Sequence, residues 1–377
     1  MDLQTADDVG QSTTDNITKT NSGLTFTATV EAGSQVVFFN DINSDGVVDA
    51  GELLGAATVS TTVATLDNLN LVDGVYNVRA IQTDVAGNVS TASTALVTTI
   101  DTTAAVISSI TTTAATDSYN AAKVIPLSIN FSETVYFGGT SPTLQVTLSN
   151  GKLISVPVTA GTAYTAVSFN YTVAAGDTNV ADLNVTGLVM GGTSPTARDA
   201  AGNAVDLSLP TATNLASAKD IRIDTLAPTA PGVPDLLDAS DTGVSATDNI
   251  TKEQKPVFRV ALGTSSAEAG DTVQLLNGAT VIGSAVLTAA DLTNTYVDVT
   301  PTANMAAAAY TTLNAKVLDK AGNAGAASGN MASMTVDITA PAAPTTLDLN
   351  NADDLGSSNT DNITSNTTGL TVSMVTA

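Results

Sequence analysis

Cysteine, histidine and tryptophan are all absent from this sequence of 377 residues. The lack of cysteine and histidine excludes disulfide bonds, thiolate nucleophiles, imidazole bases and the usual zinc sites. A secreted protein without disulfides needs another stabilising device, and bound metal is one of them. Aromatic residues make up only 4% of the chain. The apolar residues are therefore mainly Ala, Val, Leu and Ile, which suit several small cores better than one large core.

Positive charge is also scarce, because 12 basic residues face 36 acidic ones and the net charge is −24. This balance argues against nucleic acid and anionic membranes as partners. Only five of the acidic residues are Glu, so 31 are Asp. Short Asp side chains in turns are typical ligands of cations that prefer oxygen. The alternative is that Asp serves only as a turn former and solubiliser.

No apolar run approaches the length of a membrane span, and no signal peptide follows Met1. The sequence starts and stops inside copies of a repeated motif. We therefore expect a segment of a longer secreted chain, without membrane insertion.

A 17-residue motif occurs three times, and every copy ends in Thr-Asp-Asn-Ile-Thr. The copies are DLQTADDVGQSTTDNIT at 2–18, DLLDASDTGVSATDNIT at 235–251 and DLNNADDLGSSNTDNIT at 348–364. Their offsets of 233 and 113 residues indicate a period of about 115 residues with one copy missing. A module of different sequence fills the gap.

Two shorter motifs recur in each complete module. An Asp-x-Ala-Gly-Asn loop occupies 84–88, 199–203 and 319–323, and an exit with Ile or Val beside Asp occupies 99–102, 222–225 and 336–339. Linkers that contain proline follow the last two exits. The motifs predict modules at 1–103, 104–226 and 227–339, and 340–377 opens a fourth, truncated module.

Between the motifs, apolar and polar residues alternate with period two, as in 24–30, 127–131, 144–148, 167–173 and 313–317. This pattern predicts half-buried strands of five to eight residues, and no long amphipathic helix appears. About 110 residues with roughly seven such strands are typical of an immunoglobulin-like sandwich. We predict an all-β fold of tandem immunoglobulin-like β-sandwich modules in an extended row.

The topology of such a sandwich predicts where the acidic residues meet. The loops after strands B and F lie where the chain enters a module, and strand G ends at the opposite side, next to the following module. The acids after strands B and F therefore pair within each module, and the preceding exit adds a third. The pairs are Glu31 with Asp84, Glu133 with Asp199, and Glu268 with Asp319. The exits contribute Asp101 and Asp224.

We therefore predict two junction clusters, Asp101 with Glu133 and Asp199, and Asp224 with Glu268 and Asp319. At about 5 Å and an effective dielectric near 20, each carboxylate pair repels by about 3 kcal/mol. No basic residue recurs to neutralise them, so a divalent cation is expected. Calcium suits such loops better than magnesium because it accepts six to eight oxygens in flexible geometry. The alternative is a set of exposed loop acids that do not converge.

A separate acidic loop resembles the calcium loop of an EF-hand. Its predicted ligands are Asp41, Asn43, Asp45, the carbonyl of Val47, Asp49 through water, and Glu52. Gly46 permits the sharp turn. The flanks read as strands, so we predict a structural calcium staple inserted into a hairpin. The Asp residues of the 17-residue motif are weaker candidates, because an Asx-turn without metal explains them nearly as well.

These motifs together resemble the bacterial immunoglobulin-like modules of giant calcium-binding adhesins secreted by type I systems. The marks are TDNIT, EAG after strand B, DxAGN and IDTxAP, and the second module resembles a companion type that carries NFSETV at 130–135. The resemblance implies calcium at module boundaries and an extended stalk, with a ligand-binding domain elsewhere. The first exit lacks the family's proline, and the acidic insert is not part of the usual module.

The leading function is a structural extender of a secreted bacterial surface adhesin or biofilm matrix protein, stiffened by calcium. Its partners are neighbouring modules, and a cell-surface or matrix ligand is expected only through domains outside this segment. One alternative is a module that binds a glycan or protein, and another is a self-assembling sheath or surface-layer subunit. An enzyme is not expected, because the paired acids recur in every module rather than forming one active site.

Overall fold

The computed structural model describes residues 1–59, 61–263, 265–344 and 346–375. The chain divides into two compact units, Met1–Leu226 and Ala227–Ala377. Buried apolar residues form three separate cores, within 3–100, 105–223 and 236–336. The limits predicted for the individual modules stay predictions. No helix among the described residues has both the length and the apolar character that crossing a membrane requires.

The first core lies between two sheets with the strand orders β1-β3-β6 and β2-β8-β7-β4-β5. The strands are β1 (Asp2–Leu3), β2 (Ile17–Thr18), β3 (Leu24–Thr29), β4 (Gln35–Asn40), β5 (Leu53–Thr58), β6 (Val63–Leu69), β7 (Gly74–Thr83) and β8 (Leu96–Ile100). Alternate residues of β3 are buried, as the period-two pattern predicts. The first strand is split: β1 pairs with β3 in one sheet, and β2 pairs in parallel with β8 in the other.

The second core belongs to the module of different sequence. Its elements are β9 (Ile107–Thr112), β10 (Asp117–Tyr119), β11 (Val124–Leu148), β12 (Leu153–Pro157), β13 (Ala163–Thr172), β14 (Val185–Asp199), α1 (Leu215–Ala218) and β15 (Ile221–Ile223). The alternating segments 127–131 and 144–148, predicted as separate short strands, belong to one 25-residue strand, β11. Register shifts near Gly139, where φ is +101°, let β11 stay paired along its length. The alternation predicts the buried face but not the continuity of the strand.

The third core repeats the split first strand of the first module. The elements are β16 (Asp235–Leu236), β17 (Ile250–Thr251), β18 (Phe258–Ala261), β19 (Thr272–Asn277), β20 (Thr280–Val286), α2 (Ala289–Asn294), β21 (Tyr296–Val299), β22 (Ala308–Tyr310), β23 (Leu313–Leu318) and β24 (Met334–Val336). Here β16 pairs with β18, and β17 pairs in parallel with β24. In the last segment β25 (Thr346–Leu349) pairs with β26 (Val372–Val375). These elements fit the all-β fold of tandem sandwiches that the sequence predicts.

A tyrosine contact recurs in all three modules. The hydroxyl groups of Tyr76, Tyr119 and Tyr310 donate to the backbone carbonyl four residues upstream, over 2.9, 2.8 and 3.0 Å. Such a return bond near strand F is the tyrosine corner of immunoglobulin-like folds. Tyr76 and Tyr310 lie at that position, whereas Tyr119 lies on β10 and makes the same bond elsewhere. The contact supports the immunoglobulin-like fold, and the sequence motifs did not single out the tyrosines that make it.

The first two modules are joined by backbone hydrogen bonds inside the first unit. The N–H of Gln11 donates to the carbonyl of Ala200 over 2.9 Å, and that of Lys19 donates to the carbonyl of Ala201 over 3.1 Å. Lys19 Nζ donates to the carbonyl of Gly202 over 3.0 Å. The DxAGN loop of the second module is therefore seated on the loop between β1 and β2 of the first.

Gly10 is required at this contact because a Cβ on it would overlap the carbonyl oxygens of Ala200 and Ile17. We expect Gly10→Ala to cost about 1–3 kcal/mol, the usual penalty of overpacking. Gly74→Ala is the matched control, since its nearest side-chain atom is 3.7 Å away. Thermal unfolding of both variants checks this, and equal stabilities would contradict a tight contact at Gly10.

Candidate cation sites

Three predicted acids converge inside the first unit. One carboxylate oxygen each from Asp101, Glu133 and Asp199 lie within 4.8 Å of one another. Asp101 follows the end of β8, and Asp199 is the last residue of β14. Glu133 lies inside β11, within the register shift between Asn130 and Val135. The exit of one module and two strands of the next thus supply the three side chains, as the topology predicts.

Asp199 is the innermost acid of this cluster. Asp199 is 0% exposed, and its Oδ1 accepts the N–H of Asn203 over 2.8 Å. Its Oδ2 is buried and accepts no hydrogen bond from any described residue. An ionised oxygen without a partner in such a place costs several kcal/mol. Of the three acids, Asp199 therefore has the strongest need for a nearby positive charge, because its Oδ2 has no partner.

Glu133 responds to the same surroundings. Burial, followed by the charges of Asp101 and Asp199 and a hydrogen bond with Asp101, raises the pKa of Glu133 to about 7. No Lys or Arg of the described residues forms an ion pair with the three acids. Without a cation, a proton on Glu133 therefore reduces the repulsion among the three acids. Carboxylates and loop carbonyls are the ligands that calcium prefers, so the donor set fits this ion.

Asn203 ties the cluster to the exit of the preceding module. Its Nδ2 donates to the carbonyl of Asp101 over 2.8 Å and to that of Thr103 over 3.3 Å. Asp101 Oδ1 in turn accepts the N–H of Thr103 over 3.0 Å. The Asn that ends each DxAGN loop was not predicted as a functional residue, although its recurrence in the motif was the available signal.

The second predicted cluster combines residues of both units and stays a prediction. In the first unit, Asp224 accepts Asn179 Nδ2 over 2.7 Å and pairs with Arg222 over 3.1 Å. In the second unit, Asp319 accepts both the N–H and the Nδ2 of Asn323, over 2.7 and 2.8 Å. The N–H of Glu268 donates to a different acid, Asp271.

Asp271 is a buried acid that the sequence argument missed. It is 4% exposed, and its Oδ2 accepts the N–H of Glu268 over 2.7 Å. Burial raises its pKa, and the charges of Asp319 and Glu268 raise it further. The charges of Glu268 and Asp319 therefore act on a buried carboxylate within the second unit. The signal was the sequence Glu-Ala-Gly-Asp at 268–271, where the first module has Glu-Ala-Gly-Ser.

Glu31 and Asp84 lie in the loops that follow β3 and β7. The N–H of Glu31 donates to Gln82 Oε1 over 2.9 Å. The Asp84 carboxylate accepts Asn88 Nδ2 and N–H, over 2.7 and 2.8 Å, and the side-chain bond is the main reason that the pKa of Asp84 is lowered. The loop has the conformation of 199–203, but its acid is more exposed than Asp199. Metal binding by this pair stays a prediction.

The acidic insert connects β4 and β5, which pair as an antiparallel hairpin. Asp41 is 0% exposed, and its two oxygens accept the N–H groups of Asp45 and Gly46, each over 3.1 Å. Gly46 has a φ of +74°, and Val47 donates its N–H to Asp45 Oδ1 over 2.8 Å. Arg79 Nε lies 2.6 Å from Asp41 Oδ2 as an ion pair, without the alignment of a hydrogen bond. Arg79 was not predicted.

The far end of the insert is also closed by a buried acid. Glu52 is 4% exposed and accepts the N–H groups of Ile42 and Asp49, over 2.9 and 3.0 Å. Asn43 Nδ2 donates to the carboxylates of both Asp45 and Asp49, over 3.0 and 2.9 Å. The Asn43 amide therefore donates to two acids from the space that a cation would otherwise occupy. Asn43 would have to turn its oxygen inward to bind calcium.

Comparison with known proteins agrees with this architecture. The profile of the bacterial Ig-like domain family matches residues 1–102 and 227–338, which is more than half of the chain. Among curated proteins, none matches the sequence.

Several solved structures resemble the chain only weakly. The fibronectin(III)-like modules of Clostridium thermocellum CbhA are 15% identical, with 54% of this chain and 86% of that chain covered and a TM-score of 0.21. The FN1–FN3 domains of chicken CNTN1 are 12% identical, with coverages of 82% and 92% and a TM-score of 0.23. A putative membrane anchored protein from Corynebacterium diphtheriae is 9% identical, with coverages of 84% and 88% and a TM-score of 0.19. These structures are too dissimilar to support a conclusion about this chain. The family profile matches more than half of its residues, and the chain belongs to the bacterial Ig-like domain family.

Proposed function

We propose that this chain is an extender segment of a secreted bacterial surface adhesin or biofilm matrix protein, exported by a type I system and stiffened by calcium at its module junctions. The segment has a mechanical role and no enzymatic one. It holds a binding domain, located elsewhere in the protein, away from the cell surface. Its partners are the neighbouring modules of the same chain.

The observation that carries this proposal is the unpartnered, buried Oδ2 of Asp199 beside Asp101 and Glu133. Asp101 belongs to the exit of the first module, and the other two acids belong to the second. A calcium ion held by all three would therefore cross-link two modules. An ion that binds only this arrangement stabilises it by about 2.7 kcal/mol at a concentration 100 times its dissociation constant.

The insert at 41–52 has a different proposed role. Its two buried end acids, Asp41 and Glu52, lie in one hairpin of one module. Calcium there would fix the loop without linking it to a neighbour. We infer a structural staple rather than a switch, because the flanking elements are paired strands with no helices that could open.

A sugar-binding surface usually offers exposed aromatic side chains, and the described residues give little support for such a surface. The most deeply buried large side chains include Tyr171, Phe26, Phe38, Phe39, Phe137 and Phe258. The extender is therefore favoured over a glycan-binding module.

The extender proposal is tested by small-angle X-ray scattering of the full chain with calcium and with a chelator. We expect a larger maximum dimension and less bending in calcium, because the ion removes repulsion at the junctions. Glu133→Gln should scatter in calcium like a more flexible chain, since it removes one ligand at the first junction. The exposed Asp67→Asn is the charge-matched control. Identical curves with calcium and chelator would contradict the proposal.

Glu133 also predicts a pH dependence in the absence of calcium. Its pKa is about 7 in the folded protein against a usual value of 4.5, so the folded state binds more protons between these values. The free energy of unfolding should therefore fall as the pH rises from 4.5 to above 7. Urea unfolding in chelator at pH 5 and pH 8 measures this, and Glu133→Gln should lose less stability over the same interval. An equal loss in both proteins would show that Glu133 is not the responsible group.

Calcium should slow amide hydrogen exchange across residues 42–52, because the ion would tie the polar side chains in the middle of the insert to its two buried end acids. Glu52→Gln should abolish this protection and leave exchange at the module junction unchanged. Asp67→Asn again serves as the control. Exchange that calcium does not alter in the wild-type insert would contradict a staple at this loop.

A further inference from the structure

The chain leaves the first two modules through the same tripeptide, Ile-Asp-Thr, at 100–102 and 223–225. In both exits the N–H of the Asp donates to the carbonyl of the last residue of a neighbouring strand, β2 for Asp101 and β10 for Asp224, each over 3.0 Å. Each Asp carboxylate also accepts the N–H two residues later, over 3.0 and 3.2 Å. The backbone therefore presents the two exit aspartates in the same way.

The threonine after the first exit aspartate is bound to an acid in the loop between β6 and β7. Asp73 accepts the N–H of Thr102 over 3.1 Å and its hydroxyl over 2.8 Å. The hydroxyl of Thr103 donates to the same carboxylate over 3.1 Å. The hydroxyl of Thr102 is the main reason that the pKa of Asp73 is lowered, so the carboxylate stays ionised and accepts charge-assisted bonds. Asp73 and the two threonines form the exit clamp of the first module.

The second module holds its exit threonine with different side chains at the equivalent loop, between β13 and β14. Asn179 Oδ1 accepts the N–H of Thr225 over 2.8 Å, and its Nδ2 donates to the Asp224 carboxylate over 2.7 Å. The hydroxyl of Thr225 donates to the carbonyl of Asp177 over 2.9 Å. The buried Tyr171 fixes Asp177 in turn, because its hydroxyl donates to Asp177 Oδ2 over 2.7 Å. An amide thus replaces the acid of the first clamp.

The third exit shows that the clamp is separate from the turn of the exit aspartate. The N–H of Asp337 again donates to the carbonyl of the last residue of β17, over 2.9 Å, and its Oδ1 accepts the N–H of Thr339 over 2.9 Å. The residue after this Asp is Ile338, which is 53% exposed and has no hydroxyl. The turn is therefore common to three exits, whereas a threonine bound by the preceding loop belongs to the first two.

The first clamp acts on the segment that carries Asp101 into the junction cluster. Asp73 holds this segment from the first module, and Asn203 Nδ2 holds it from the second by donating to the carbonyls of Asp101 and Thr103. The segment is thus fixed on both sides of the Asp101 carboxylate. A ligand that is held in place before an ion arrives loses less conformational freedom on binding.

We propose that Asp73 is a positioning residue of the first junction, which acts through Thr102 to hold Asp101 where it can bind a divalent cation. Asn179 has the same role for Asp224 at the second exit. The inference rests on the proposed calcium junction and adds residues that do not bind the ion themselves. It makes the hydrogen bond at this loop, rather than the charge of Asp73, the feature that matters.

Calcium titration calorimetry of the full chain tests this proposal with two variants of one residue. The junction ion is the binding event that Glu133→Gln removes. Asp73→Ala should weaken this event about tenfold, the lower end of the usual effect of removing a group that orients a metal ligand. Asp73→Asn keeps an oxygen for Thr102, as Asn179 does in the second module, and should bind nearly as tightly as the wild type. Both variants remove the same charge, so they differ only in the hydrogen bonds.

Thr102→Val supplies an independent variant at the other side of the same bond. Asp73 and Thr102 are exposed, so these substitutions leave the cores intact, and Thr102→Val should weaken the junction event in the same direction. Wild-type affinity in both Asp73→Ala and Thr102→Val would overturn the clamp, and so would equal losses in Asp73→Ala and Asp73→Asn. A wild type without the event that Glu133→Gln removes would instead contradict the calcium junction itself, and the clamp with it.

Discussion

The junction of the first unit depends on one interaction, the repulsion between the buried carboxylate of Asp199 and the two acids beside it. Asp199 Oδ2 has no hydrogen-bond donor among the described residues, and Asp101 and Glu133 lie beside it. The surrounding contacts hold this arrangement in place. Asn203 binds the exit carbonyl of Asp101, and the backbone of the DxAGN loop is bonded to the loop around Gly10. A geometry that keeps repelling groups together is stable only if a proton or a cation joins them.

The repeated motifs have a common physical logic in this account. In the 17-residue motif and in the DxAGN loop of the second module, a backbone N–H satisfies one carboxylate oxygen and leaves the other available. In the other two DxAGN loops, the side chains of Asn88 and Asn323 also occupy the second oxygen. Asp199 follows this pattern at a junction, and Asp8 follows it inside a module. The insert is built differently, because both oxygens of Asp41 and Glu52 already accept backbone N–H groups. A protein without cysteine can thus use oxygen-ligated cations where other secreted proteins use disulfides.

Much of the fold and part of the site follow from the sequence, because period-two alternation and loop motifs are local signals. They predict the strands of the first module and the convergence of Asp101, Glu133 and Asp199. They do not predict that β11 continues for 25 residues, since its continuity depends on its pairing with four other strands. Arg79 was missed because its approach to Asp41 is a tertiary contact between residues that no repeated motif connects. Asp271 was missed although it directly follows the repeated Glu-Ala-Gly, because the first module has Ser34 at that position.

The most direct test of the central claim is a crystal structure of the full chain grown with calcium, with anomalous scattering used to locate the ions. The account predicts an ion bound to Asp199 Oδ2, with Asp101 and Glu133 oxygens at about 2.3–2.6 Å from it. A metal-free junction, in which the three carboxylates point apart into solvent at calcium concentrations that saturate the protein, would contradict it.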